Sequence, residues 1–185
     1  MNIFHLTYII WILSELILNR LVRSGKSDKK GADKNTELYL WLSIILFITS
    51  GVFVAIYYSA PISFNNNLNL IGLIIITIGI IIRVISIKQL GRFFTVNVTI
   101  RKDHQLIQNG FYKYIRHPSY TGSLLSFLGF GFSLNNWLSL ILVFMPILLS
   151  FIHRMNIEEK VLTEQFGKEY SDYIKRTKRL IPFLY

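Results

Sequence analysis

The stretch Arg116-His117-Pro118-Ser119-Tyr120-Thr121-Gly122 decides how this chain is read. Two short apolar runs follow it, Tyr120 to Leu134 and Trp137 to Ile152. These lead into a second charged and aromatic set: Arg154, Glu158-Glu159, Leu162, Phe166-Gly167, Tyr170, Tyr173, Arg179 and Pro182. Pro118 fits the first turn of a helix, where its missing N–H is no loss. The two charged sets therefore flank a pair of apolar helices. Taking ionisable groups out of water is costly, so groups kept at the border of membrane spans point by default to a functional site.

Working outward, three longer apolar runs precede the motif: Ile3 to Val22, Leu38 to Tyr58 and Leu68 to Leu90. About 20 apolar residues suffice for a helix to cross the hydrocarbon. With 185 residues, 52% of them hydrophobic, the chain has room for one domain. The expected fold is all-α and integral to the membrane, with about five transmembrane helices. The last two form a short hairpin, and a C-terminal amphipathic helix follows. The first run has no basic n-region and no small-residue cleavage site, so it reads as a retained helix. With no cysteine in the chain, disulfides, thiolate chemistry and Cys-based metal sites are excluded.

The net charge of +10 is a topology signal rather than a nucleic-acid footprint. Lys and Arg cluster after the first, third and fifth runs, whereas the loops Ser59 to Asn69 and Ser133 to Asn136 have none. The positive-inside rule then gives one consistent solution: five spans, N-terminus outside, C-terminus in the cytosol. In a bacterium this would be the plasma (inner) membrane. Arg20 and Lys88 stand at the cytosolic ends of their runs, and Arg83 alone among the basic residues falls well inside a span. Residues 23 to 37 read as a polar linker, Asn65-Asn66-Asn67 as an outer turn and Asn109-Gly110 as another. Thr95 to Ile100 alternate as an extended segment does. Gly122 and Gly129 share a helix face suited to close helix approach, and Pro146 is expected to kink the fifth helix. Beyond that helix, Ile157, Val161, Leu162, Phe166, Tyr170, Tyr173 and Ile174 form the apolar stripe of a surface helix.

From about Arg83 to Pro182 the chain resembles the isoprenylcysteine carboxyl methyltransferase family of membrane enzymes. The resemblance rests on Gly91, His104-Gln105-Leu106-Ile107, Gly110-Phe111-Tyr112, the Arg116 to Gly122 motif, and Glu158-Glu159-Lys160-Val161-Leu162 with Phe166-Gly167, Tyr170 and Tyr173. It implies one membrane domain over 1–185, with 83–185 a methyltransferase-like core that holds its cofactor on the cytosolic side; residues 1–82 match no motif. The implied cofactor is S-adenosylmethionine, bound without a Rossmann sheet or a metal. By motif match its contacts would be His104, Gln105, Leu106, Ile107, Tyr112, His117, Pro118, Ser119, Tyr120 and Glu158. The same resemblance implies that Arg83 and Arg154 face the substrate as its catalytic and binding residues. The expected acceptor is a lipophilic molecule methylated at a carboxylate, which arginine's planar fork suits. Arg154 lies one helical turn before Glu158, on the same face.

Other readings stand beside this one. By position alone, Arg83 fits a snorkelling side chain, Arg154 a topology anchor, and Tyr112 and Tyr120 an interfacial aromatic belt. Glu158-Glu159 fit the charged start of a surface helix, and His104 a loop histidine. Glu15, inside the first run, has no readable partner. A phospholipid N-methyltransferase would share the cofactor and the His-Pro and Glu-Glu pattern, but would need a base to deprotonate its amine. The closing Tyr170, Tyr173 and Pro182 to Tyr185 also look like NADPH-dependent sterol reductases, against which Pro118 and the short length count. A non-enzymatic scaffold is the third alternative. Membrane lipid is a partner in every reading, and oligomeric state is not legible.

Overall fold

A computed structural model describes residues 3–21, 36–63, 67–94 and 105–185. Six α-helices account for most of them: α1 (Ile3–Leu21), α2 (Thr36–Tyr57), α3 (Asn67–Leu90), α4 (Pro118–Ser133), α5 (Trp137–Phe166) and α6 (Lys168–Arg176). Short 3-10 turns occupy Gly91–Phe93 and Gly110–Lys113. Three helical stretches, Thr36–Tyr57, Asn67–Phe93 and Trp137–Phe166, are long and apolar enough to cross a membrane. The apolar part of α1, Ile3–Leu18, is shorter, and the 16 residues of α4 extend only about 24 Å at 1.5 Å per residue. Leu42, Leu46, Ile56, Ile74, Ile141 and Leu149 stand exposed on the outer faces, as lipid-facing residues do.

The tightest packing joins α3 to α4. A Cβ on Gly72 would meet the Gly129 carbonyl oxygen at 2.6 Å, and one on Gly129 would meet that of Gly72 at 2.6 Å. Gly79 and Gly122 are related in the same way, with 2.5 and 2.6 Å. Apolar surface gains little by helix association within lipid, so close backbone approach through small residues is how such helices hold together. The face expected for Gly122 and Gly129 is thus one half of a reciprocal glycine contact. The core beside it is apolar and aromatic: Trp11, Ile76, Phe127, Phe130, Val143, Ile147 and Phe151 are buried. Trp11 meets Phe127 edge-on, with ring centroids 5.1 Å apart, and thereby seats α1 against α4.

Two expectations are corrected. The helix expected to end near Ile152 runs on unbroken through Pro146 to Phe166, 30 residues in all. No glycine or proline interrupts His153 to Gln165, and the break comes at Gly167, where φ is +54°. The amphipathic unit is accordingly the nine-residue α6. In addition, the buried face of the α5 extension carries Phe151, Arg154, Met155 and Glu159, while the stripe residues Ile157, Val161, Leu162 and Phe166 are only half-buried. Two charged residues occupy a face that hydropathy alone would give to carbon. Thr95 to Ile100 and most of the 23–37 linker lie outside the described residues, as do Asn65 and Asn66.

Candidate active site

The Arg116 to Gly122 motif is held in place by the C-terminal segment. Arg116 N–H donates to the Lys178 carbonyl (2.8 Å), His117 N–H to that of Arg179 (3.0 Å), and Lys178 N–H to that of Tyr114 (3.1 Å). This is a short parallel bridge between Ile115 and Lys178. The Thr121 hydroxyl adds a bond to the Leu180 carbonyl at 2.8 Å. Arg116 also closes the end of α6, its Nη1 donating to the Thr177 carbonyl at 2.6 Å, as cations at helix C-termini commonly do.

Of the two adjacent glutamates, Glu159 is the structural one. Arg116 Nε lies 2.8 Å from its Oε1, and Arg179 Nη2 and Nε lie 2.6 and 3.0 Å from its Oε2. His117 Nε2 is 3.1 Å from Oε1. An ionised carboxylate only accepts, so this contact places the histidine proton on Nε2. Sequence reasoning gave the binding role to Glu158 and none to Glu159. A usable signal was present: neighbouring helical residues point about 100° apart, so one glutamate had to face the arginines on either side of the motif.

Glu158 faces the other way and is more open, its side chain 29% exposed. Its Oε2 accepts the Tyr120 hydroxyl proton at 2.7 Å and lies 3.8 Å from His117 Nδ1. Tyr120 stacks on the His117 ring, centroids 5.3 Å apart and nearly parallel. Arg154 Nε donates to the same Tyr120 oxygen at 3.0 Å, and Arg154 Nη1 to the Thr36 hydroxyl at 3.1 Å. Arg83 Nη1 donates to Ser119 Oγ at 3.0 Å and to its carbonyl at 3.3 Å. His117, Ser119, Tyr120, Glu158, Arg83 and Arg154 are therefore one connected set, with Pro118 opening α4 at its centre.

Tyr112 is buried behind this set. Its hydroxyl donates to the Ser86 carbonyl at 3.4 Å, and its own carbonyl accepts from the Tyr173 hydroxyl at 2.6 Å. Burial first, and then the negative charge of Glu158, pushes the Tyr112 phenol well above its usual range. Tyr170 is raised by burial and then by Glu159 and Glu158. Both phenols stay protonated at any physiological pH, and the buried Tyr170 hydroxyl has no hydrogen-bond partner among the described residues. Gln105, Leu106 and Ile107 form no hydrogen bond with the set; the next residue, Gln108, accepts from Arg176 on α6 at 3.1 Å. His104 lies outside the described residues.

On the opposite side of Tyr120 opens a cavity of about 250 Å³, several times the roughly 30 Å³ that one water occupies in the liquid. Its long walls are apolar, among them Trp11, Ile44, Ile48, Phe127, Phe130 and Phe151. Its polar end is lined by Glu15, Glu37, Arg83, Tyr120 and Arg154. Glu15 is the residue whose partner the sequence did not reveal: its Oε1 lies 2.8 Å from Arg83 Nε.

An apolar cavity ends in two guanidiniums, which one phenol joins to a carboxylate and histidine cluster. The family model described as phospholipid methyltransferase matches residues 68–169, which cover α3 to α5 and so the whole connected set. The chain belongs to the phospholipid methyltransferase family. Within that family its similarity lies with the isoprenylcysteine enzymes. A probable protein-S-isoprenylcysteine O-methyltransferase of Oryza sativa subsp. indica is 33% identical over 116 residues, 62% of this chain and 61% of the relative. Protein-S-isoprenylcysteine O-methyltransferase B of Arabidopsis thaliana is 36% identical over 115 residues, 61% of this chain and 58% of the relative. The solved structure of a eukaryotic intramembrane Ras methyltransferase, isoprenylcysteine carboxyl methyltransferase, superposes with a TM-score of 0.66 at 28% identity, covering 78% of this chain and 52% of that one. The chain thus spans roughly half to three-fifths of the length of these relatives. Its apolar helices and this neighbour together mark an integral membrane protein. The family resemblance read from the motifs holds.

Proposed function

We propose that this protein is an S-adenosylmethionine-dependent O-methyltransferase that esterifies a carboxylate on a lipophilic, isoprenoid-like acceptor at the membrane. One observation carries the reading: Tyr120 stands between the Glu158–His117 cluster and the polar end of the apolar cavity, touching both Glu158 and Arg154. The names of the relatives support the transfer chemistry; they favour neither the reductase nor the scaffold.

The donor set fits the cofactor. Glu158 offers a half-open carboxylate for a ribose diol or an ammonium, and His117 and Tyr120 offer stacked rings. The first turn of α4 lacks a side-chain cap, so its amide protons suit a carboxylate. S-adenosylmethionine, when bound, supplies a methyl group on a positively charged sulfur. An acceptor carboxylate is already ionised at neutral pH and needs no general base. What remains for the protein is alignment and exclusion of water. Arg83 and Arg154 orient the acceptor oxygen from the polar end, while the aromatic walls take its chain.

The topology that fits this reading has five spans, with the N-terminus outside and the motif, α6 and the C-terminal segment in the cytosol. In it α4 and α5 are the closing hairpin, and the acceptor enters sideways from the bilayer.

Transfer of labelled methyl groups from S-adenosylmethionine to a panel of acceptors tests the reading in detergent or nanodiscs. The panel holds an N-acylated S-prenylcysteine, a free isoprenoid acid, a fatty acid and phosphatidylethanolamine. Base-labile label on a carboxylate is expected, lost in Glu158→Gln and Arg154→Ala. Base-stable label on the amine lipid alone would replace it with N-methylation.

A further inference from the structure

Glu15 takes no part in the chemistry set out above, yet it occupies the guanidinium that the acceptor carboxylate needs. It lies in the apolar stretch of α1, and its side chain is 19% exposed against 15% for Arg83. Both line the polar end of the cavity. A carboxylate there is stabilised by a neighbouring cation, and its partial exposure leaves it a route to solvent when that cation is taken.

The pairing is close but poorly directed. Although Glu15 Oε1 sits 2.8 Å from Arg83 Nε, that N–H has no aligned acceptor. Among the described residues, the aligned bonds of Arg83 leave from Nη1, toward Ser119. The fork edge formed by Nε and Nη2, which binds a carboxylate through two parallel bonds, is thus held by charge alone. A carboxylate on a free ligand is not tied to a helix backbone and can settle into that fork with both oxygens.

We propose that Glu15 is an internal stand-in for the acceptor carboxylate: it holds Arg83 while the cavity is empty and is displaced by an anionic head that bonds the fork better. Glu15 is a specificity-determining residue in this sense. A neutral lipid does not compensate its release from Arg83. The inference rests on the reading that Arg83 receives the acceptor carboxylate. Glu15 also lowers the apparent affinity for every true acceptor, because only the fraction of molecules with Arg83 released is competent to bind.

The test is equilibrium binding of a fluorescent polyene fatty acid, cis-parinaric acid, and separately of its methyl ester, to the full-length protein in detergent. Wild type, Glu15→Gln, Arg83→Gln and the double variant are compared, each checked for folding by thermal melting. Glu15→Gln is expected to bind the acid about tenfold more tightly, the gain that follows if roughly one molecule in ten has Arg83 free. Its affinity for the ester stays at the wild-type value. The double variant binds the acid as weakly as Arg83→Gln, because Glu15 acts through Arg83. Unchanged or weaker acid binding in Glu15→Gln, or an equal change for acid and ester, overturns the stand-in. Equal acid binding by wild type and Arg83→Gln overturns instead the assignment of Arg83 to the carboxylate. Should Glu15→Gln not fold, Glu15→Asp, whose carboxylate is drawn back by one methylene, is expected to bind the acid more tightly than wild type; no gain overturns the proposal.

Discussion

Two adjacent glutamates with different partners give the sharpest contrast at the scale of single residues. Glu159 is the shared acceptor of Arg116, Arg179 and His117, with its side chain only 10% exposed. Removing one member of a buried charge cluster leaves the others unpaired, at a cost of about 3–5 kcal/mol. Glu159→Ala is therefore expected to lower the thermal midpoint by about 10 °C, at roughly 2–4 °C per kcal/mol for a chain of this size. Glu158→Gln keeps the melting curve and loses binding of S-adenosylhomocysteine. Calorimetry of the two variants beside each other checks the division, and the reverse pattern would exchange the roles. Tyr120→Phe removes one hydroxyl that both Arg154 and Glu158 use. A hydrogen bond to a charged group contributes about 1.5–3 kcal/mol, so methyl transfer is expected to fall by about 10- to 100-fold with the fold intact. Arg83, Arg154, His117 and Glu158 were given site roles from the motif order, whereas Glu159 and its partners Arg116 and Arg179 were not. Glu15 was not: its partner Arg83 lies on another helix, and only the packing of α1 onto α3 and α4 makes them neighbours.

Among the elements, the α3–α4 contact sets the position of the site. A Cβ on Gly122 would approach the Gly79 carbonyl oxygen at 2.6 Å and the backbone nitrogen of Arg83 at 2.7 Å. Overpacking of this kind costs about 1–3 kcal/mol. Gly122→Ala is expected to lower the melting temperature by several degrees and, by pushing Arg83 away from Ser119, to reduce methyl transfer by more than the lost stability explains. Activity measured well below the melting temperature separates the two effects. The helices themselves were readable because runs of about 20 apolar residues have few alternatives. The length of α5 was not, since hydropathy falls after Ile152 while helical propensity does not. A chain whose buried face changes from carbon to Arg154 and Glu159 looks, in a hydropathy profile, like a helix that has ended.

Across the whole molecule, the proposed orientation rests on charge asymmetry, and the lack of native cysteine makes it simple to test. Ser59 and Lys175 are both exposed. A cysteine placed at Ser59 is expected to react with an impermeant maleimide in intact cells, and one at Lys175 only after permeabilisation. Labelling of both from one side would refute the five-span arrangement. The fold class and the family were both legible in the chain; the cavity was not, because its walls come from five helices whose apolar residues each look like ordinary lipid-facing ones.

The bond between the Arg116 to Thr121 stretch and residues Lys178 to Leu180 also has a consequence for synthesis. The backbone that pairs with the motif, Lys178 to Leu180, is encoded 61 to 63 residues downstream of His117, so a growing chain exposes the motif before this restraint exists. The helices can be threaded into the bilayer one after another, but the reaction centre is completed only when the stretch through Leu180 has left the ribosome. A nascent chain that has not yet released Lys178 to Leu180 is therefore expected to hold the His117 motif without these bonds.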